Sequence, residues 1–420
     1  MNLNGWDTVF VGDMAVINAA MAASSAQLLQ EFSFSQDGFS ASGTFGTWQV
    51  VPGGSSELLL LQIALESGSM TMSAGTTPID VSGMSVQLLV SLQLLPTGAG
   101  SGALALQFDF TAVGPANTSG AGVVTPHAVL DNGKLTLVQE AALGNAIANA
   151  LVRNAGRISF MFASINPARA AAVPWIQPVA SRYCYLAPAG MPPALAILSV
   201  NAGHSAEGLP LTVDPAVLQG DGNAGLAISP ALFLQNVVGP ALLQSLGSSG
   251  TLAVNSAGVL QNTGALPLRE VDRAGESYHP QIDSLSVTVV DAQIQIAIQG
   301  SCDMHMGVSM TFSATSALAV ALSTDRTSLQ FSTVGTPTFH KDVSIPWYDH
   351  LFDIFGGIAE IILQVCVAAI SSELGEGISG QTTSCALVGG APSLVGWANG
   401  GGFSAGEATL ASGFYMRGAL

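Results

Sequence analysis

Aliphatic residues alternate with Ser, Thr and Gln along much of this chain, and Gly and Pro punctuate the runs. A period of two marks half-buried antiparallel strands. It is clearest over Glu57 to Met72, Val81 to Leu95, Leu104 to Val113, Arg157 to Ile165, Ile282 to Gln299, Met306 to Leu322 and Ser328 to Val334. Within Ile282 to Gln299, the residues Val287, Val289, Ile294, Ile296 and Ile298 fall largely on one face, and an offset near Asp291 reads as a bulge. Several runs exceed the usual strand length of about 3–10 residues, which predicts large, strongly curved sheets.

Helical periodicity appears in four places. Thr8 to Leu29 carries a weak apolar stripe of Val9, Val16, Ile17, Ala20 and Leu28, and Ala141 to Arg153 carries Leu143, Ile147 and Leu151. A third helix opens at Ser229, a candidate N-cap followed by Pro230, and runs through Leu246 with a kink or break at Pro240. The fourth, Tyr348 to Leu374, is apolar nearly all round, which predicts burial on most sides. Helix, strands, helix, strands then occurs twice. The chain divides on this plan into halves 1–205 and 206–420, an α+β architecture of antiparallel sheets packed on helices.

Composition sharpens the picture. Hydrophobic residues make up 49% and charged residues only 9% of the chain, for a mean hydropathy of +0.49. A membrane-spanning helix needs about 20 apolar residues, and the longest candidate, Ile354 to Ile370, is short and contains Glu360 and Gln364. No transmembrane segment is expected, so the apolar surplus must be hidden inside the fold. Ten basic residues, scattered singly from Lys134 onward, face 27 acidic ones for a net charge of −17. That balance argues against nucleic acid as a partner and against simple Coulombic attraction to anionic lipid. The N-terminus has neither a basic region nor an apolar core of a signal peptide, which predicts cytoplasmic synthesis and, for any exported fraction, a non-classical route.

Candidate chemistry is sparse. GFSAG at Gly402 to Gly406 matches the nucleophile-elbow pattern, but that pattern needs a strand before Ser404, a helix after it and a later His, and the last His is His350. GDGNAG at Gly220 to Gly225 lacks the strand and helix of a dinucleotide-binding unit on its flanks. His340, Asp342, Asp349, His350 and Asp353 form the densest group of possible ligands, without a paired-His metal spacing. Cys302 and Met304 alternate with Asp303 and His305, so no Cys/His nucleophile pair is arranged there. Cys184, Cys302, Cys366 and Cys385 lack CxxC spacing and read as buried free thiols. No catalytic residue, metal or cofactor is expected.

Two stretches resemble a known family. Gly5, Trp6 and Asp7, followed by Ile17 and Asn18, are similar to the opening of the accessory proteins encoded in orfX-type botulinum neurotoxin gene clusters. The central block, through Phe162, Ala163, Trp175, Pro178, Tyr183, Tyr185 and Leu198 to Glu207, Gly208, Leu209, Ile228, Ser229, Phe233, Leu234 and Pro240, agrees in order and spacing. This chain is poorer in Lys and aromatics than the neurotoxin-cluster members. The resemblance implies a tubular lipid-binding (TULIP) fold, with curved sheets around long helices and an apolar groove between them. It supplies no catalytic motif.

The expected function is therefore non-enzymatic binding of lipid or another hydrophobic ligand. The groove would be lined by Val16, Ile17 and Ala20 of the first helix and by Phe352, Phe355, Ile358 and Ile362 of the last. Each buried CH2 contributes about 0.8 kcal/mol, so a sixteen-carbon chain offers on the order of 12 kcal/mol before ordering costs. The alternative is a protein-interaction component of a toxin-type complex whose core is filled by its own side chains.

Overall fold

Thr8–Asp13, grouped by its apolar content with the following helix, is a strand, β1. It lies at the centre of a six-stranded antiparallel sheet in the order Ala180–Leu186, Ala194–Val200, β1, Ala224–Ile228, Phe414–Ala419, Ser404–Leu410. Thr8, Val9, Phe10 and Val11 are all buried, with Phe10 in the main core and Val9 and Val11 in a second cluster on the opposite face. A strand covered on both faces reads as a continuous apolar run rather than as alternation. That is why the helical expectation for Thr8 to Leu29 fails over its first turn and a half.

The computed structural model describes all residues except 1, 74, 99–101, 116–117, 119, 274, 305–306, 345–351, 381, 399 and 412, and the side chains of 273, 352–356, 380, 382 and 383. The six-stranded sheet takes three strands from each side of residue 205 and so joins the two halves. Its outer face is covered by the irregular segment 201–223, which contributes Val213, Val217 and Leu218 to the second cluster.

The N-terminal Gly5, Trp6 and Asp7 clasp that cover. Gly5 has a φ of 90° and a Cβ there would lie 2.8 Å from Leu209. Trp6 Nε1 donates to Pro210 O at 2.9 Å. Asp7 accepts from Asn201 N at 2.8 Å and meets His204 Nδ1 at 2.7 Å. The signature residues are thus anchors between distant parts of the chain.

The ten-stranded sheet runs through β2 (Glu31–Gln36), β3 (Phe39–Ser55), β4 (Leu58–Thr71), Ser85–Pro96, Leu104–Asp109, Met161–Ile165 and Val395–Trp397, with three further strands off this path. Helix α1 (Met14–Ala23) packs on β3, and α2 (Leu137–Arg153) lies across β2, β3 and Val123–Leu130. A capping box starts α2: Gln139 N donates to Thr136 Oγ1 at 3.4 Å and Thr136 N to Gln139 Oε1 at 2.8 Å.

The eight-stranded sheet lies wholly in the second half. Its inner face carries Val287, Ile294, Ile296 and Ile298, each buried, with Val289 packed at the margin. The expected bulge near Asp291 is instead a two-residue hairpin joining Gln281–Val290 to Gln293–Asp303. Asp291 and Ala292 have φ of 50° and 60°, the left-handed pair of a type I′ turn whose twist matches the strands.

Ser229 caps the third helix as expected, accepting from Leu232 N at 3.3 Å. Pro240 does not break it. Between α3 (Pro230–Phe233) and α4 (Gly239–Leu246) the backbone takes a π turn, Leu234–Val238, which absorbs the hydrogen bond that Pro240 cannot donate.

The last helical region is α5 (Phe352–Ala369), α6 (Ser372–Gly380) and α7 (Thr382–Gly389). Residues 348–351 of the expected helix lie outside the described residues. By length and composition alone, Gly357–Ser379 is long and apolar enough to cross a membrane, with a mean hydropathy of 1.6. This stretch extends past the Ile354 to Ile370 run seen in the sequence, because the chain turns helical again after Ile370 and Ser371. Half of it is buried within the fold.

The class is α+β with mostly antiparallel sheets, as the alternation predicts, the pair Ala112–Val113 and Val123–Leu130 being parallel, and the sheets are open and uncurled rather than rolled into tubes.

Candidate functional site: the first helix and its flanking grooves

Helix α1 contains no charged residue. Its inward positions Met14, Ile17 and Met21 are fully buried in the main core. Asn18 fixes the helix to β3 as a strand would: its Nδ2 donates to Val50 O at 2.9 Å, and Val50 N donates to its Oδ1 at 2.9 Å. Ile17 and Asn18, quoted above for their resemblance, are therefore the packing residue and the docking residue of α1.

The outward positions Ala15, Ala19, Ala22 and Ala23 are exposed. Along one flank, Val16, Ala19, Ala20 and Ala23 line an open groove of about 570 Å³ bounded by Ala398. Along the other, Met21, Ala22, Leu28, Phe45 and Trp48 line a recess of about 570 Å³, with Gln30 and Glu66 among its polar groups. That recess sits where β3 slips register against β4 between Phe45 and Trp48; the extra residue bends the strand and opens the space. Phe45 and Trp48 meet edge to face at 5.6 Å. Trp48 is 2% exposed and its Nε1–H has no hydrogen-bond acceptor among the described residues.

Of the residues expected to line one groove, Val16 and Ala20 do line a groove, whereas Ile17 points into the core. Ile358 and Ile362 are each 1% exposed on α5, which packs on Ser309–Leu322 and Thr338–Ser344 of the eight-stranded sheet. The two groups thus stand on different sheets. The side chains of Phe352 and Phe355 lie outside the described residues.

Other candidates resolve simply. Ser404 begins an edge strand, Ser404–Leu410, with a further strand after it. Gly220 to Gly225 is a turn into Ala224–Ile228, where a Cβ on Gly222 would lie 2.1 Å from Gly418 O. Among the described residues no three His, Cys, Asp or Glu gather as a metal site; His305, Asp349 and His350 lie outside them. Cys184, Cys302 and Cys366 are buried and free, while Cys385 is exposed, against the expectation of four buried thiols. Burial pushes the Cys184 and Cys366 thiols up to about 12 and Cys302 up to about 11, which keeps them protonated and poor nucleophiles.

Two polar contacts carry no local sequence signal. Tyr183 bridges the six- and ten-stranded sheets, accepting from Leu92 N at 2.6 Å and donating to Glu57 O at 2.7 Å; burial pushes its hydroxyl well above its ordinary range. Arg417, 3% exposed, pairs with Asp13 at 3.0 Å and donates to Gly222 O at 3.0 Å. It ties the C-terminal strand to the start of α1. Both join residues too far apart in sequence for any spacing rule.

The chain matches the OrfX-like family model, described as protein OrfX2/OrfX3/P47, over residues 3–394. It is 27% identical over 241 residues to protein P47 of Clostridium botulinum (strain Kyoto / Type A2), a match that spans 57% of this chain and 56% of that protein. The chain thus spans little more than half the length of that relative. The fold is shared with two solved structures. P47 from Clostridium botulinum A2 superposes with a TM-score of 0.76 at 22% identity, covering 100% of this chain and 98% of the other. P47 of Clostridium botulinum E1 does so with a TM-score of 0.79 at 18% identity, covering 99% of each chain.

Proposed function

The chain belongs to the OrfX-like family, and on that premise we propose that it is an accessory protein that holds a fatty-acyl chain or similar apolar ligand in the grooves beside α1. The observation that carries this reading is an uncharged helix whose exposed face is all alanine, standing between two recesses of about 570 Å³ each. Small-molecule sites typically have volumes of about 300–1,000 Å³ and mostly apolar walls with a few polar groups. Trp48 stands at the wall of one recess, with its indole N–H buried behind that wall. Burial of CH2 groups supplies the affinity, and the −17 charge disfavours recognition by an anionic headgroup.

Uptake of a fluorescent fatty acid tests the proposal. The unmodified protein takes it up saturably, and Ala19→Glu, which places a carboxylate on the groove without altering the core, abolishes uptake at that flank. Equal uptake by the variant, with no competition by unlabelled fatty acid, counts against it.

A second reading keeps the accessory role without a ligand. It is favoured by the contiguous core that Ile17, Ile358 and Ile362 share with their neighbours, and it predicts no uptake by either protein.

A further inference from the structure

Strand edges invite pairing with other chains, and proteins blunt them with charge, bulges or brevity. The edges of these sheets are mostly blunted so. Ser404–Leu410 carries Glu407 and a bulge, β2 carries Glu31, Thr338–Ser344 carries Lys341 and Asp342, and Leu252–Val254 and Val395–Trp397 are three residues long. Val123–Leu130 differs. Among the described residues it pairs on one side with Ser85–Pro96 and on the other only at Val123 and Val124, with Ala112–Val113. Pro126 cannot donate to a ladder, and beyond it 127–130 offer an edge unpaired among the described residues, with no acidic or strongly basic side chain.

A recess of about 440 Å³ lies between this edge and the first turns of α2. Four consecutive strand residues, 126–129, line it. Successive side chains of a strand point to opposite faces, so what the strand presents there is its backbone edge. The helical wall is Leu137, Glu140, Ala141 and Gly144. Gly144 brings the helix close to the strand, since a Cβ there would lie 3.2 Å from Pro126, a tight contact. Leu137 is 81% exposed, its neighbour Val138 70% and Leu130 44%, so aliphatic surface rims that edge.

We infer that this edge and recess form a docking site for an extended segment of another protein, which adds as a strand beside 127–130 and seats aliphatic side chains against Leu137. Main-chain pairing supplies affinity and alternate side chains supply specificity in this mode. Charge selects the occupant. Residues 1–133 hold nine acidic residues and no Lys or Arg, and Glu140 lies in the wall, so the segment carries a basic residue to meet it. A second copy of the chain brings a further −17 and is disfavoured. This inference stands independently of the ligand grooves, which lie beside a different helix.

The test uses the full chain and a fluorescein-labelled peptide of alternating valine and threonine with a lysine at each end. The peptide binds by anisotropy and slows amide exchange at 127–130. Leu137→Asp, at a solvent-exposed position, weakens binding about tenfold or more, Glu140→Lys weakens it, and a peptide N-methylated at alternate amides does not bind. Absence of peptide binding, unchanged exchange at 127–130, or binding indifferent to Leu137→Asp and to N-methylation overturns the inference. A dimer in sedimentation that Leu137→Asp dissolves assigns the edge to a second copy and also overturns it.

Discussion

Replacing Asn18 by leucine removes the two bonds that dock α1 on β3, and the outcome follows from what is left behind. Val50 is 3% exposed, so its N–H and C=O lose their partners where water has little access. An orphaned buried polar group costs about 1–3 kcal/mol, which places the loss for the pair at about 4 kcal/mol. Folding entropy near 60 °C is about 2.1 cal/mol/K per residue, or about 0.9 kcal/mol/K for 420 residues unfolding together, so the melting temperature falls by about 4 °C. Asn18→Ala is milder. Asn18 is only half-buried, and the smaller side chain leaves room for water to reach Val50. A hydrophobicity argument ranks leucine above alanine on an apolar helix; the docking argument reverses that order. Thermal and urea unfolding of the three proteins decide it, and an Asn18→Leu protein as stable as the parent, or more stable than Asn18→Ala, refutes the reasoning.

Arg417→Met leaves the Asp13 carboxylate without its buried partner and costs about 3 kcal/mol. Breaking such a pair is expensive, whereas replacing both partners is often nearly neutral, so Asp13→Asn with Arg417→Met recovers much of the loss in a urea double-mutant cycle. The raised Cys184 and Cys366 values mean that folding favours the neutral thiols. Their contribution to stability is fully present below about pH 9, the ordinary thiol value, and is lost as pH rises through about 12. Denaturant midpoints measured across that window therefore fall, and do so less in a Cys184→Ala, Cys366→Ala protein. Iodoacetamide on the native protein modifies Cys385 first, as mass mapping will record.

The long strands of the eight-stranded sheet were legible because each buries one face and leaves the other in solvent: alternation over Ile282 to Gln299 identified the inward set correctly even though the turn inside it was mistaken for a bulge. Asp291–Ala292 lacks the glycine that usually announces a type I′ turn. β1 was missed for the opposite reason, being covered on both faces. Pro240 was read as a kink or a break, and local rules do not foresee the π turn upstream of it that carries the helix through. The site was half legible. The apolar stripe located α1, but its division into core and groove depends on which side β3 occupies. The separation of α1 from α5 depends on long-range pairing: the six-stranded sheet combines residues 8–13 with 414–419, and nothing in either segment names the other.

Gentle purification followed by native mass spectrometry and solvent extraction bears most directly on the grooves beside α1. The account predicts a mass increment of fatty-acyl size on the intact protein, the same species in the extract, and its depletion in Ala19→Glu. A bare protein mass with an empty extract, together with failure to take up added fatty acid, contradicts it.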